Sequence, residues 1–271
     1  MSAGDLSTPD LLLITFDALR YDVAEQAHRE GQCPFLRSLL PGGWELRHAP
    51  GNFTYASHAA LFAGFWPTPA EADGASHEER PFALRFHGSR SVGARTQVLD
   101  GETIVEGLRQ RGYHTICIGG VGFFNRLNPL GNVFPRLFDE SHWSPAFGVT
   151  QLHSTRAQVR QAAQSLQQTP TTRPLFLFLN VSATHAPTHF YLPGTTGESV
   201  ASQRAALAYA DRHLPELWEA FLNRDRPGRG FLMSDHGTLF GEEGRFGHRQ
   251  AHPHVWNVPY AEVDWGGGGA A

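Results

Sequence analysis

Lysine is missing from all 271 residues, so every one of the 22 basic side chains is arginine. That excludes catalysis through a lysine Schiff base and a P-loop lysine on a nucleotide phosphate. Cysteine is nearly absent too. Cys33 and Cys117 are the only two, and their spacing suits neither a disulfide framework nor a metal cluster. Cys117 lies within YHTICIGG, which reads as a buried strand, so inert packing is expected of it. There is no basic run, and the net charge is -4, which argues against a nucleic-acid surface. No apolar run approaches the ~20 residues of a membrane span, and MSAGDLSTPD lacks the pattern of a leader. A soluble cytoplasmic protein with no membrane or nucleic-acid partner is the expectation. Nothing in the composition signals an oligomeric state.

What is present suits a well-filled core: 41% hydrophobic and only 18% charged residues. Apolar runs alternate with segments of helical period. LLLITF (11–16), YHTICIGG, PLFLFLNVS and RGFLMSDHG read as buried strands, the last as the final strand, and WELRHA as a further one. CPFLRSLL, SHAALFAG opening at Ser57, GETIVEGLRQRG and STRAQVRQAAQSLQQ, capped by Ser154 or Thr155, read as helices. ESVASQRAALAYADRHLPELWEAFLNR reads as one long helix kinked near Pro215. Uniformly apolar strands separated by helices predict an α/β fold, a mostly parallel sheet covered on both faces. The segment from Pro67 to Arg95 reads as an excursion of loops. Residues 1–264 are expected to form one domain, and 265–271 a flexible Gly-rich tail.

Three apolar strands end in polar clusters: Asp17, the segment from Ser182 to His189, and Asp235-His236. The carboxyl edge of such a sheet is where ligands bind. Each cluster also has a plainer reading, as a turn at Asp17 or an Asx turn closed by Gly237. Two carboxylates and an imidazole together suit Zn²⁺ or Mn²⁺ better than Ca²⁺. Thr54, in TYASHAALFAG, stands just before a helix start, where the backbone favours an anion. Alone its hydroxyl reads as a cap; beside a metal it can ionise and become a nucleophile.

LLLITFDALRYD, CPFLRSLL, TYASHAALFAG and SDHGTLFGEEGRFGH occur in an order that resembles the alkaline phosphatase and sulfatase superfamily. The resemblance is to its sulfatase-like branch, which includes phosphodiesterases and phosphoethanolamine transferases, and spans roughly residues 10 to 262. It places Thr54 at the nucleophile position, with Ala56, Ser57 and His58 where sulfatases carry proline, serine and arginine. Threonine cannot become the formylglycine of true sulfatases, and the missing lysines point away from sulfate as well. His185, in SATHAPTHFY, matches a His-x-Pro segment, and His248 matches a histidine twelve residues beyond Asp-His-Gly. Both are implied to serve a second metal or to hold phosphoryl oxygens. His58 and His189 are weaker candidates for substrate contact, His252 and His254 are expected at the surface or in loops, and Asp211 is expected to be structural. Ala18 replaces a carboxylate common in calcium-binding sulfatases. The usual C-terminal subdomain is nearly absent after VPYAEV, which implies an open pocket or one completed by a partner.

The resemblance thus implies an alkaline phosphatase-like fold and a metal-dependent hydrolase of phosphoric mono- or diesters. One or two ions, Zn or Mn, would lie among Asp17, Thr54, Asp235, His236, His185 and His248, and a small-molecule phosphoester would be the substrate. Thr54 would carry the covalent phosphothreonine. Three alternatives stand beside it: a phosphoryl- or phosphoethanolamine-type transferase, a sulfuric-ester hydrolase, and a catalytically silent binding partner.

Overall fold

The computed structural model describes residues 8–64, 82–84, 97–99 and 102–266. The chain runs from β1 (Asp10–Phe16) through α1 (Tyr21–Arg29) and α2 (Pro34–Leu39) to β2 (Glu45–His48) and α3 (Thr54–Ala63). Short strands β3 (Phe82–Leu84) and β4 (Gln97–Leu99) pair in parallel. The rest of the Pro67–Arg95 segment lies outside the described residues. Next come α4 (Ile104–Gln110), β5 (His114–Ile118), β6 (Glu140–His142), α5 (Ser154–Gln168) and β7 (Leu175–Val181). They are followed by α6 (Val200–Asp211), α7 (Leu214–Leu222), β8 (Gly228–Ser234), β9 (Leu239–Phe240), β10 (Phe246–Gly247), α8 (Pro253–Trp256) and β11 (Asn257–Trp265).

Seven strands form the main sheet in the order β2-β11-β8-β1-β7-β5-β6. From β8 to β6 every pairing is parallel, and β11 alone runs the other way, antiparallel to both β8 and β2. The pleat sorts β7 onto two cores. Leu175, Leu177, Leu179 and Val181 pack on one side with α1, α5, α6 and α7, while Phe176 and Phe178 pack on the other with α3 and α4. The expected parallel sheet with helices on both faces is therefore the fold observed.

Several boundaries differ from the sequence expectation. β8 is not the final strand, because β11 follows it and reaches Trp265, which is buried rather than part of a tail. The expected long helix is two, α6 and α7, with Pro215 in the first turn of the second, where its missing N–H costs nothing. The N-cap of α5 is His153, not Ser154 or Thr155. Asp211 is structural as expected: its carboxylate accepts from Leu36 N at 2.7 Å and Phe35 N at 3.2 Å, closing the start of α2. Both cysteines are free and buried, and burial pushes the Cys33 thiol up to about 12. Among the described residues no helix is long and apolar enough to cross a membrane.

The amino end of β1 is fixed by a buried ion cluster. Asp10 is fully buried and accepts from Arg224 Nε at 2.7 Å, Arg226 Nε at 3.2 Å and Leu175 N at 2.9 Å. Asp10→Ala would leave both guanidinium groups buried without that carboxylate, a loss of about 3–5 kcal/mol. Urea unfolding of the variant is the check. A change below about 1 kcal/mol, the scale of a surface pair, would remove the cluster's role.

Candidate active site

Strands β8, β1 and β7 are neighbours and parallel, so the residues past their carboxyl ends share one rim. Asp17 follows β1 on a tight turn in which Ala18 has φ 60°, a left-handed conformation that costs a non-glycine residue about 1–3 kcal/mol. Neighbouring elements hold that turn. Asp17 N donates to Val181 O at 3.0 Å, Thr184 Oγ1 to Asp17 O at 2.8 Å, and Gln203 Nε2 to Ala18 O at 2.8 Å. The turn aims the Ala18 N–H at Asp235 Oδ1, 3.1 Å away, which also accepts from His236 N at 3.0 Å. Past His236 the chain needs glycine: a Cβ on Gly237 would stand 1.9 Å from the His254 carbonyl oxygen.

Helix α3 begins at Thr54 itself, three residues before the expected Ser57, so Thr54 is its first residue and not a flanking one. The Thr54 Oγ1 lies 3.5 Å from both Asp17 carboxylate oxygens and 3.3 Å from His236 Nε2. One turn on, His58 is not the substrate contact anticipated. It is wholly buried, with its ring centre 5.2–6.0 Å from those of Phe62, Phe124, Phe134 and Phe178. Its Nδ1 donates to Thr54 O at 2.8 Å, and its Nε2 accepts from the Thr15 hydroxyl at 3.1 Å. Burial lowers its pKa to about 3, so it is a neutral brace for the start of α3.

Asp17, Asp235 and His236 are all fully buried. Burial, and then the neighbouring Asp235, raise the Asp17 carboxyl to about 6; burial raises Asp235 to about 7 against three backbone donors. Burial holds His236 down at about 4, so its approaches of 3.8 Å to Asp17 and 3.5 Å to Asp235 are not ion pairs at neutral pH. The His236 Nδ1–H donates to Gly237 O at 2.8 Å, which leaves Nε2 as a bare lone pair facing both carboxylates.

This donor set fits a divalent cation. Ligand atoms of Asp17, Asp235 and His236 lie within 4.8 Å of one another. Asp235 Oδ2 is buried with no hydrogen-bond partner, an orphan of the sort that a cation satisfies. Bonds of about 2.0–2.2 Å in a tetrahedral site imply ligand separations of about 3.3–3.6 Å. The separations from Thr54 Oγ1 to Asp17 and His236, and from His236 to Asp235, are 3.3–3.5 Å.

His185 and His248 are both half-buried beside this group. The His248 ring centre is 4.5 Å from that of His236 and 5.6 Å from that of His185. Burial, followed by the nearby His236, His185 and Arg249, lowers His248 to about 3. His189 instead pairs with Glu198 at 2.7 Å, and no contact joins it to the site residues. His252 caps α8, and both it and His254 are half-exposed. Sequence reasoning missed Asn180, whose Nδ2 donates to Asp17 Oδ2 at 3.0 Å and whose Oδ1 accepts from Val121 N. Its signal was available as the one polar side chain within LFLFLNV.

The raised Asp235 pKa has a signed consequence. The fold holds that proton more tightly than the unfolded chain, so its contribution is full below the ordinary value of 3.8 and is lost as the pH climbs towards 7. The lowered histidines act in the opposite sense, so the comparison must be with a variant. Asp235→Asn keeps an acceptor for Ala18 and His236 yet cannot ionise. Metal-free, it should gain stability relative to wild type as the pH rises from about 4 to about 7, by at most about 1.4 kcal/mol per pH unit. A difference that stays constant over that range in urea titrations would contradict the buried-carboxylate account.

The Sulfatase family model matches residues 9–261. No curated protein matches the chain. Similar solved structures include the periplasmic domain of EcEptC from Escherichia coli in complex with Zn, with 15% identity, 96% of this chain and 74% of that one covered, and TM-score 0.62. The soluble domain of lipooligosaccharide phosphoethanolamine transferase A from Neisseria meningitidis matches at 13% identity, 97% and 78% coverage, and TM-score 0.66. The lipoteichoic acid synthase LtaP from Listeria monocytogenes matches at 12% identity, 96% and 67% coverage, and TM-score 0.60. These likenesses establish the fold, and the family match covers nearly the whole chain. The protein belongs to the Sulfatase family, within the alkaline phosphatase and sulfatase superfamily.

Proposed function

We propose that this protein is a metal-dependent hydrolase of phosphoric esters that works through a covalent phosphothreonine on Thr54. The observation that carries the reading is the Thr54 hydroxyl at the start of a ten-residue helix, 3.5 Å from Asp17 and 3.3 Å from His236. A zinc or manganese ion held by Asp17, Asp235, His236 and Thr54 would lower the hydroxyl pKa and offset negative charge on the ester. Thr54 Oγ1 attacks phosphorus in line as its proton passes towards Asp17. The new O–P bond forms as the bond to the leaving alcohol breaks, and the departing oxygen takes a proton from water. A second water then cleaves the threonine ester, releasing phosphate, or the remaining phosphate monoester from a diester, and restoring the hydroxyl. The α3 N-terminus, His185 and His248 meet the charge on the equatorial oxygens.

Phosphorus is favoured over sulfur because threonine has no route to formylglycine and the chain has no lysine. A second reading is transfer of the phosphoryl group to an acceptor alcohol. The fold-level likeness to the transferase from N. meningitidis and to LtaP supports it. Both readings share the first half-reaction, and product analysis with added alcohols separates them.

With zinc- or manganese-loaded protein and chromogenic phosphate mono- and diesters, Thr54→Ala should lower turnover by roughly 10³-fold or more. Most of the metal, measured by emission spectroscopy, should be retained, and the unfolding midpoint should not change. Wild-type rates from the variant would take Thr54 out of the reaction.

A further inference from the structure

The loop that carries His248 continues into a cation. Arg249 is exposed and has φ 69°, a left-handed conformation that glycine adopts without strain and arginine does not. Its backbone N–H donates to Asn52 O at 2.8 Å, which ties this loop to the turn leading into α3. Its guanidinium carbon lies 4.7 Å from the centre of the Phe53 ring, and Phe53 immediately precedes Thr54. Among the described residues no carboxylate pairs with Arg249, whereas Arg20 is committed to Asp22 and Glu242, and Arg245 to Glu243.

A guanidinium lying on an aromatic face keeps its in-plane N–H groups free, and that planar fork matches two oxygens of a phosphate. In a chain without lysine, a permanent side-chain positive charge for a substrate anion can come only from arginine. We propose that Arg249, stacked on Phe53, binds a negatively charged oxygen of the ester held at Thr54, and so sets the preference of the site for anionic substrates. This rests on the active-site reading above.

The test is calorimetric titration of inorganic phosphate into zinc-loaded wild type, Arg249→Met, Arg249→Lys and, as a control, Arg245→Met at fixed ionic strength. Arg249→Met keeps an apolar stem over Phe53 and should weaken phosphate binding roughly 10- to 100-fold. Arg249→Lys should recover part of that loss, and Arg245→Met should match wild type. Zinc content and unfolding midpoint should stay constant, and KM for a phosphate ester should rise in step. Equal phosphate affinity in wild type and Arg249→Met overturns the proposal. So does an equal loss in Arg245→Met, or no saturable binding by wild type. An inactive wild type whose phosphate affinity still depends on Arg249 would keep the anion contact and remove the hydrolase reading. An active wild type with affinity and KM untouched in Arg249→Met would do the reverse.

Discussion

Strand β1 carries an aspartate at each end, both fully buried, and the chain treats them in opposite ways. At the amino end Asp10 is met by Arg224 and Arg226, which settle its charge. At the carboxyl end Asp17 faces another buried carboxylate, Asp235, and its donors are one amide from Asn180 and a long contact from Thr54. Two adjacent buried carboxylates without a guanidinium carry a desolvation penalty of several kcal/mol. Protons relieve it at low pH, and a bound cation would relieve it at neutral pH. The rest of the rim follows from that. The raised carboxyls and the orphaned Asp235 Oδ2 go with keeping the pair together without a counter-charge, while burial keeps His236 neutral beside it.

A buried relay sets the spacing between this pair and Thr54. Asp17 Oδ2 and Thr15 Oγ1 share the Asn180 amide, at 3.0 and 3.3 Å. The Thr15 hydroxyl donates to His58 Nε2, and His58 Nδ1 donates to the Thr54 carbonyl. The aspartate is thus linked to the helix that bears the threonine through Asn180, Thr15 and His58, each satisfied on both sides. The aromatic rings around His58 exclude water and strengthen every bond in the relay. In the proposed reaction, a hydroxyl held this way would need little reorganisation before attack on a fixed phosphorus.

Much of this was legible in the chain. Uniformly apolar strands betrayed a sheet buried on both faces, and polar clusters at their ends marked the rim where Asp17, Asp235 and His236 meet. What escaped were features that depend on partners distant in sequence. β11 escaped because it is an alternating strand beyond a loop, with Pro259 inside it and Glu262 and Asp264 exposed, rather than a continuous apolar run. The α3 start escaped because Thr54, readable as a cap, is instead the first helical residue, and the extended Phe53 provides the boundary without a side-chain bond. His58 occupies a position that suggests substrate contact in one dimension. In three, the helix turns it away from solvent into phenylalanines contributed by residues 124, 134 and 178.

Exposure grades outwards across the rim, and the gradient fixes the direction of approach. Asp17, Asp235 and His236 are fully buried, Thr54 is 2% exposed, His185 and His248 are half-buried, and Arg249 stands in solvent. Two carboxylates and one imidazole lie deepest, two half-buried imidazoles next, and a permanent cation outermost. An anionic ester entering past Arg249 would meet positive charge first and reach the buried carboxylates last, so it would be repelled unless a metal already covered them. The depth of each group along that path matches the step it would serve.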